Sequence, residues 1–159
     1  IREHFPELAR WKLDFIATDI SEGVLAKARE GLFNQVEINR GLPASYFTKY
    51  FQADPKGWRL KDDVRKMVDF RYLNLIQTWP QLPSFDLVFM RNVMIYFDVA
   101  TKRVILGKIA QTMRREGYLF LGGSETTLNL DDSYERVPLG KTVGYRLGKV
   151  MGPTAVKKV

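Results

Sequence analysis

The stretch Phe85 to Asp98, FDLVFMRNVMIYFD, constrains the fold of this chain more than any other. Phe85 to Met90 has the length and the β-branched and aromatic content of a buried strand. The strand should stop at Arg91-Asn92, because a core cannot hold two such polar side chains without partners. A second apolar run, Val93 to Phe97, follows at once.

A helix and another strand follow this stretch. Asp98 can cap a helix whose apolar positions Ile105, Ile109 and Met113 recur every four residues, and we expect the helix to close near Arg114-Arg115 and Gly117. Tyr118 to Leu121 is a second strand. This order predicts a βαβ unit with parallel strands, and therefore an α/β fold.

Arg91, Asn92 and Tyr96 should lie where such a sheet binds ligands, beyond the carboxyl ends of its strands. The alternative is that these residues have only a structural role, in which Arg91 pairs with a nearby carboxylate where the strand ends and Tyr96 is a packing residue.

A second predicted strand, in the first half of the chain, also ends in polar residues. Leu13 to Ala17 is a predicted strand that ends in Thr18-Asp19, and Ser21 can start the next helix. In nucleotide-binding folds a carboxylate after the second strand binds ribose hydroxyls, about 20 residues beyond a glycine-rich loop. Asp19 could be that acid, or it could only cap the Ser21 helix.

If Asp19 binds ribose, the first strand and its glycine-rich loop would have to precede Ile1, because the residues before Asp19 include no glycine. Val68 to Leu73 leads into Asn74-Leu75, which again puts a polar residue at a predicted strand end.

Smaller elements surround these strands. Asp54 to Gly57 has the composition of a turn, and we expect Trp58 to Leu60 to pair with Val64 to Tyr72 as an inserted hairpin. Gly122 to Thr126 lacks the GxGxxG pattern and is typical of a turn. Tyr134 to Pro138 and Thr142 to Leu147 predict a terminal antiparallel hairpin.

The composition excludes several functions. With 159 residues the chain fits one domain, expected over residues 1–150, with a frayed basic tail over 151–159. One histidine and no cysteine disfavour a metal site and triad hydrolysis. No apolar run approaches the ~20 residues of a membrane span, and no signal peptide is seen, so we expect no membrane insertion and a cytoplasmic location.

The net charge of +7 is unevenly placed, since residues 141–159 contribute +5 of it and contain no acid. A second basic cluster, between Lys56 and Arg71, is partly offset by Asp62, Asp63 and Asp69. Such a cluster is either a solvated face or a docking patch for an acidic partner. Because the charge lies mainly in the tail, we do not expect nucleic acid as a partner.

The motifs ATDIS at 17–21, LNL at 73–75 and FMRNVMIYFD at 89–98 resemble the CheR-type chemotaxis receptor methyltransferases. The resemblance runs from about Phe5 to Leu147. It implies a Rossmann-like sheet that uses S-adenosylmethionine, releases S-adenosylhomocysteine and carries a small antiparallel β subdomain, here about 52–72. It also implies methylation of glutamates in the cytoplasmic domains of chemoreceptors, the methyl-accepting chemotaxis proteins.

The resemblance also implies roles for single residues. Asp19 would bind the ribose hydroxyls, Asn74 and Leu75 would hold the adenine, and Met90 with Arg91 would line the same pocket. Tyr96 would lie near the transferred methyl group, and Arg91 is a candidate to orient the acceptor glutamate.

The sequence also departs from the family. The helical domain, first strand and glycine-rich loop of the family have no counterpart in this chain, so it resembles a truncated enzyme that would bind the cofactor weakly and could dimerise or swap through exposed strand edges. Gly123 stands where the family often has histidine. Two other functions stay open: a docking module without catalysis, and methylation of nucleic acid.

Overall fold

A computed structural model describes residues 1–148. These residues form two compact units, Ile1–Asn74 and the part of the chain from Leu75 onwards. The basic tail predicted over 151–159 lies outside the described residues. Within residues 1–148 no helix is long and apolar enough to cross a membrane.

The first unit contains a two-stranded parallel sheet. Strand β1, Phe15–Asp19, pairs with β5, Val68–Tyr72, in a register that sets Asp19 opposite Tyr72. Helix α1, Glu22–Glu30, follows β1 and begins as expected at Ser21, whose Oγ accepts the amide N–H of Val24. Gly31 ends α1 in the left-handed conformation, with φ +63°, which glycine adopts without strain.

The same unit holds a small antiparallel sheet of three strands. These strands and the short helices around them are β2 Leu32–Phe33, α2 Gln35–Ile38, α3 Ala44–Tyr50, β3 Phe51–Asp54, β4 Gly57–Leu60 and α4 Asp62–Arg65. The strand order is β2-β4-β3. Aromatic rings hold this sheet together: Phe47 makes an edge contact with Trp58 at 4.7 Å, and Phe33 makes one with Phe51 at 5.6 Å between ring centroids.

The predicted hairpin between Trp58–Leu60 and Val64–Tyr72 is wrong. Trp58 pairs with Ala53 across the turn at Asp54–Gly57, so the hairpin joins β3 to β4. Val64 lies in α4, and Val68–Tyr72 is β5 of the parallel sheet. The turn at residues 54–57 was predicted correctly, but the strand predicted to pair with β4 was the wrong one.

The second unit contains a four-stranded sheet. Its elements are β6 Phe85–Met90, α5 Val99–Thr112, β7 Met113–Leu121, β8 Tyr134–Leu139 and β9 Thr142–Leu147. The strand order is β6-β7-β9-β8. Strands β6 and β7 are parallel and flank α5, which confirms the predicted βαβ unit. Strands β8 and β9 form the predicted terminal hairpin.

Helix α5 supplies the core of this unit. Asp98 caps it, with Oδ1 accepting the amide N–H of Thr101 at 2.7 Å. Ile105, Leu106 and Ile109 are completely or almost completely buried, and each contributes roughly 2 kcal/mol by leaving water. The helix ends at Thr112, earlier than predicted, because Met113 already begins β7.

Candidate functional site

Two of the predicted site residues lie together at the carboxyl end of the parallel sheet in the first unit. The amide N–H of Leu73 donates to the backbone oxygen of Asp19 at 3.0 Å, and Asn74 is the next residue. The strand pairing therefore brings the Asp19 and Asn74 positions to one end of this sheet, as the sequence predicts for a nucleotide-binding edge.

The carboxylate of Asp19 is half-buried and does not cap α1. Its Oδ1 accepts the amide N–H of Ser21 at 2.8 Å, while Ser21 itself caps the helix. The alternative that Asp19 only caps the helix is thus wrong, because Ser21 holds that position. One backbone donor uses a fraction of the acceptor capacity of a carboxylate, which retains lone pairs for hydroxyl donors such as those of a ribose.

In the second unit, Lys108 fixes the segment that begins at Leu75. Its Nζ donates to the backbone oxygens of Leu75 at 2.9 Å, Ile76 at 3.2 Å and Gln77 at 2.7 Å. The indole Nε1 of Trp79 also donates to the oxygen of Leu75, at 3.2 Å. Since the Leu75 carbonyl already accepts these two donors, any contact of Leu75 with an adenine would use its N–H or its side chain.

A single carboxylate, that of Glu125, fixes the loop after β6. Its Oε1 accepts the amide N–H groups of Val93 at 2.9 Å and Met94 at 2.7 Å. Its Oε2 accepts those of Asn92 at 2.8 Å and Gly122 at 2.6 Å. The buried carboxylate thereby ties the chain after β6 to the chain after β7.

These contacts determine the ionisation of Glu125. Burial raises the pKa of this carboxyl, but the amide N–H groups of Gly122, Asn92, Met94 and Val93 outweigh burial and hold the pKa below its ordinary value. Glu125 is therefore a charged group whose hydrogen bonds come from the backbone.

The loop held by Glu125 has a demanding backbone. Asn92 has φ +59°, a left-handed conformation that asparagine tolerates better than most residues. A Cβ on Gly122 would lie 2.7 Å from Oε2 of Glu125 and 2.9 Å from the amide nitrogen of Asn92. Glycine is required at 122 because any side chain would displace the carboxylate or the loop.

The remaining predicted site residues lie on or beside this loop. Met90 ends β6 and packs against the core, whereas Arg91 is exposed and lines a cavity of about 500 Å³. Tyr96 lies in the short 3₁₀ helix Met94–Tyr96 with 80% of its surface exposed, while Met94 in the same turn is 1% exposed. Burial of Met94 anchors the turn that presents Tyr96 to solvent. Arg91 has no ion pair within residues 1–148, which disfavours the structural alternative of an arginine paired at the strand exit.

Sequence reasoning missed Glu125 and Lys108. The residues Gly-Gly-Ser-Glu after a strand predicted only a turn. A glutamate just beyond a strand end was the one signal that could have indicated a role in fixing the neighbouring loop. Lys108 carried no signal, because a lysine on a predicted helix is ordinarily solvated.

Within the first unit, the strand ends carry groups of the kind that an adenosyl group needs. A half-buried carboxylate, that of Asp19, ends β1, and Asn74 follows β5. Ribose hydroxyls need an acceptor such as Asp19, and an adenine edge needs an amide or backbone partner of the kind found at Asn74 and Leu75.

Comparison with known sequences identifies the family. Residues 1–143 match the family described as "CheR methyltransferase, SAM binding domain". The chain is 41% identical over 135 residues to "Chemotaxis protein methyltransferase 1" of Pseudomonas aeruginosa, covering 84% of this chain and 49% of that protein. It is 40% identical over 134 residues to "Chemotaxis protein methyltransferase Cher2" of Pseudomonas putida, covering 82% and 48%.

A third relative gives a similar result. The "Chemotaxis protein methyltransferase" of Borreliella burgdorferi is 40% identical over 118 residues, covering 73% of this chain and 41% of that protein. The chain spans about half the length of these curated relatives. With this match over residues 1–143 and its mixed α/β architecture, the chain belongs to the CheR methyltransferase family.

Proposed function

We propose that the intact protein containing this chain transfers a methyl group from S-adenosylmethionine to glutamate side chains in the cytoplasmic domains of chemoreceptors, and that it acts in the cytoplasm. The observation that carries this proposal is the match of residues 1–143 to the S-adenosylmethionine-binding domain of the family. The names of the relatives support methylation in chemotaxis as the process.

Methyl transfer to a glutamate requires alignment of the two reactants more than it requires acid or base catalysis. When bound, S-adenosylmethionine supplies an electrophilic methyl group on a sulfonium. An ionised glutamate already has its nucleophile, so a carbon–oxygen bond can form as the carbon–sulfur bond breaks without any proton transfer. The protein has to hold the acceptor in line and exclude water, which can lower the barrier by several kcal/mol.

Different residues of this chain would bind the cofactor and align the reactants. Asp19 would accept hydrogen bonds from the ribose hydroxyls, and Asn74 with Leu75 would hold the adenine. Met90 and Arg91 would line the same pocket. Tyr96 would place its ring face or hydroxyl beside the cationic sulfonium, an interaction suited to an aromatic ring.

Arg91 has a second proposed role on the acceptor side. A guanidinium can bind a carboxylate through two parallel hydrogen bonds and so orient the glutamate.

The edge of β6, which has one paired neighbour within residues 1–148, supports self-association of the isolated chain by strand pairing.

The test is transfer of tritiated methyl groups from S-adenosylmethionine to receptor-containing membranes by the intact protein. We expect label that alkali releases as methanol, because a glutamate methyl ester hydrolyses readily and methylated nitrogen does not. Tyr96→Phe should slow transfer more than it weakens cofactor binding. Absence of transfer with intact cofactor binding would instead identify a docking module, and alkali-stable label would exclude an ester product.

A further inference from the structure

A single peptide group links Tyr96 to Glu125. The amide N–H of Met94 donates to Oε1 of Glu125 at 2.7 Å. At the other end of that peptide, the carbonyl of Val93 accepts the amide N–H of Tyr96 at 3.3 Å. Because a peptide group is planar, the direction of its N–H fixes the direction of its carbonyl. The Glu125 carboxylate therefore orients the acceptor for the Tyr96 amide.

The residues on either side of Tyr96 anchor the same turn. Met94 is buried and Phe97 packs against the core of the second unit. The amide N–H of Phe97 also donates to the carbonyl of Met94, at 3.1 Å. Within residues 1–148 the Tyr96 side chain makes no hydrogen bond of its own. Its position is therefore set by the backbone of this turn.

The Glu125 carboxylate has no hydrogen-bonding capacity left for a ligand. Oε1 accepts the backbone N–H groups of residues 93 and 94, and Oε2 accepts those of residues 92 and 122. A carboxylate offers about four lone-pair sites, so all of them are filled here. Glu125 can then influence a bound ligand in two ways, by its charge or through the backbone that it holds.

The shape of the loop favours an effect through the backbone. The successive N–H groups of residues 92–94 surround the carboxylate as such groups surround a bound anion, and the left-handed Asn92, with φ +59°, gives the loop its curvature. The dipoles of these amides oppose the negative charge, which weakens its field at a cation beyond the loop. Loss of the carboxylate would release three consecutive amides, and with them the turn that carries Tyr96.

We infer that Glu125 is a positioning residue for Tyr96, and that it holds the ring where the ring distinguishes the sulfonium of S-adenosylmethionine from the neutral thioether of S-adenosylhomocysteine. The inference rests on the proposed function, because that function puts Tyr96 beside the sulfonium. An aromatic ring attracts a cation more strongly than it attracts a neutral thioether. Correct placement of the ring therefore favours the methyl donor over the product.

Calorimetric titration of both ligands into the intact protein tests this inference without any transfer reaction. The two ligands differ only in the methyl group and its charge, so general damage to the protein weakens both equally and leaves the ratio of their dissociation constants unchanged. In Glu125→Gln we expect the ratio of the constant for S-adenosylmethionine to that for S-adenosylhomocysteine to rise about fivefold. Tyr96→Ala should raise it similarly, and the double variant should show no further rise, because both changes remove the same interaction.

A second pair of variants keeps the charge of Glu125. In Gly122→Ala the new methyl group would lie 2.7 Å from Oε2 of Glu125, so it displaces the carboxylate without removing it. The ratio should therefore rise as it does in Glu125→Gln. Gly123→Ala meets nothing within 4 Å and should keep the wild-type ratio. This pair tests the inference even if Glu125→Gln does not fold.

An unchanged ratio in Tyr96→Ala, Glu125→Gln or Gly122→Ala would overturn the inference. A rise in Glu125→Gln that persists in the Tyr96→Ala background would also overturn it, because the charge of Glu125 would then act on the sulfonium directly. The expected ratios without methyl ester formation on receptor membranes would refute the proposed function alone. Ester formation with a ratio that does not depend on Glu125 would refute the inference alone.

Discussion

Oε1 of Glu125 accepts the amide N–H of Met94 at 2.7 Å, across 31 positions of the chain. Met94 is buried, and the turn that it begins carries Tyr96. Through this bond and its three companions, one carboxylate sets the backbone of the loop that holds Arg91 and Tyr96. The backbone of residues 92–94 is thus held by a residue more than 30 positions away in the chain.

Glu125→Gln should destabilise the protein. The amide –NH₂ group of glutamine would face two of the backbone N–H groups that now donate to a carboxylate oxygen, leaving buried donors without acceptors. We expect the free energy of unfolding to fall by about 3 kcal/mol, measured by urea denaturation. Glu116→Gln is the matched control on an exposed site and should change it by less than about 0.5 kcal/mol. We call Glu125 and the four backbone N–H groups that donate to it, those of residues 92, 93, 94 and 122, the clamp. Equal stability of the two variants would contradict its role.

The same clamp predicts a pH dependence. The pKa of Glu125 is lower in the folded protein than in the unfolded chain, where the carboxyl has its ordinary pKa. Its contribution to stability is therefore fully present above that unfolded pKa, and it is lost as pH falls through the folded pKa. The difference in unfolding free energy between wild type and Glu125→Gln should be constant at neutral pH and shrink in acid. A difference that grows as pH falls would contradict the assignment.

Neighbouring glycines provide a sharp steric test. In Gly122→Ala the new methyl group would lie 2.7 Å from Oε2 of Glu125, so the clamp has to shift, and we expect a loss of about 2 kcal/mol. Gly123→Ala meets nothing within 4 Å and should be nearly neutral. Amide hydrogen exchange at residues 92–94 should accelerate in the first variant and stay unchanged in the second. The reverse order would show that the loop does not depend on this contact.

Lys108→Met should loosen the segment from Leu75 to Gln77. The substitution keeps an unbranched side chain but removes the donor shared by three backbone oxygens, so we expect a loss of about 1 to 2 kcal/mol. Lys102→Met on the same helix is the control, because Lys102 does not hold that segment. Faster amide exchange over residues 75–77 in the first variant alone is the expected result. Similar exchange in both variants would mean that Trp79 and packing suffice to hold the segment.

The elements that the sequence predicted correctly are those specified by nearby residues. The capping side chain of Asp98 and the spacing of Ile105 and Ile109 define α5, and the apolar runs on either side of it define β6 and β7. The glycine at 140 marks the terminal hairpin, whose turn positions local residues can specify.

The elements that were missed depend on partners far along the chain. Val68–Tyr72 becomes a strand of the parallel sheet because it pairs with Phe15–Asp19, and nothing within the segment distinguishes that partner from Trp58–Leu60. The role of Glu125 likewise depends on amides more than 30 positions away. Roles predicted for Asp19, Asn74, Leu75, Met90, Arg91 and Tyr96 stay predictions until ligand binding is measured.

The most direct test of the account is calorimetric titration of S-adenosylhomocysteine into the intact protein and two aspartate variants. Asp14 and Asp19 bracket the same strand, one before its first residue and one at its carboxyl end. We predict that Asp19→Asn weakens binding about tenfold or more, because it removes a charged acceptor from the ribose, and that Asp14→Asn binds like the wild type. Wild-type affinity in Asp19→Asn, or an equal loss in both variants, would contradict the assignment of this strand end to the cofactor.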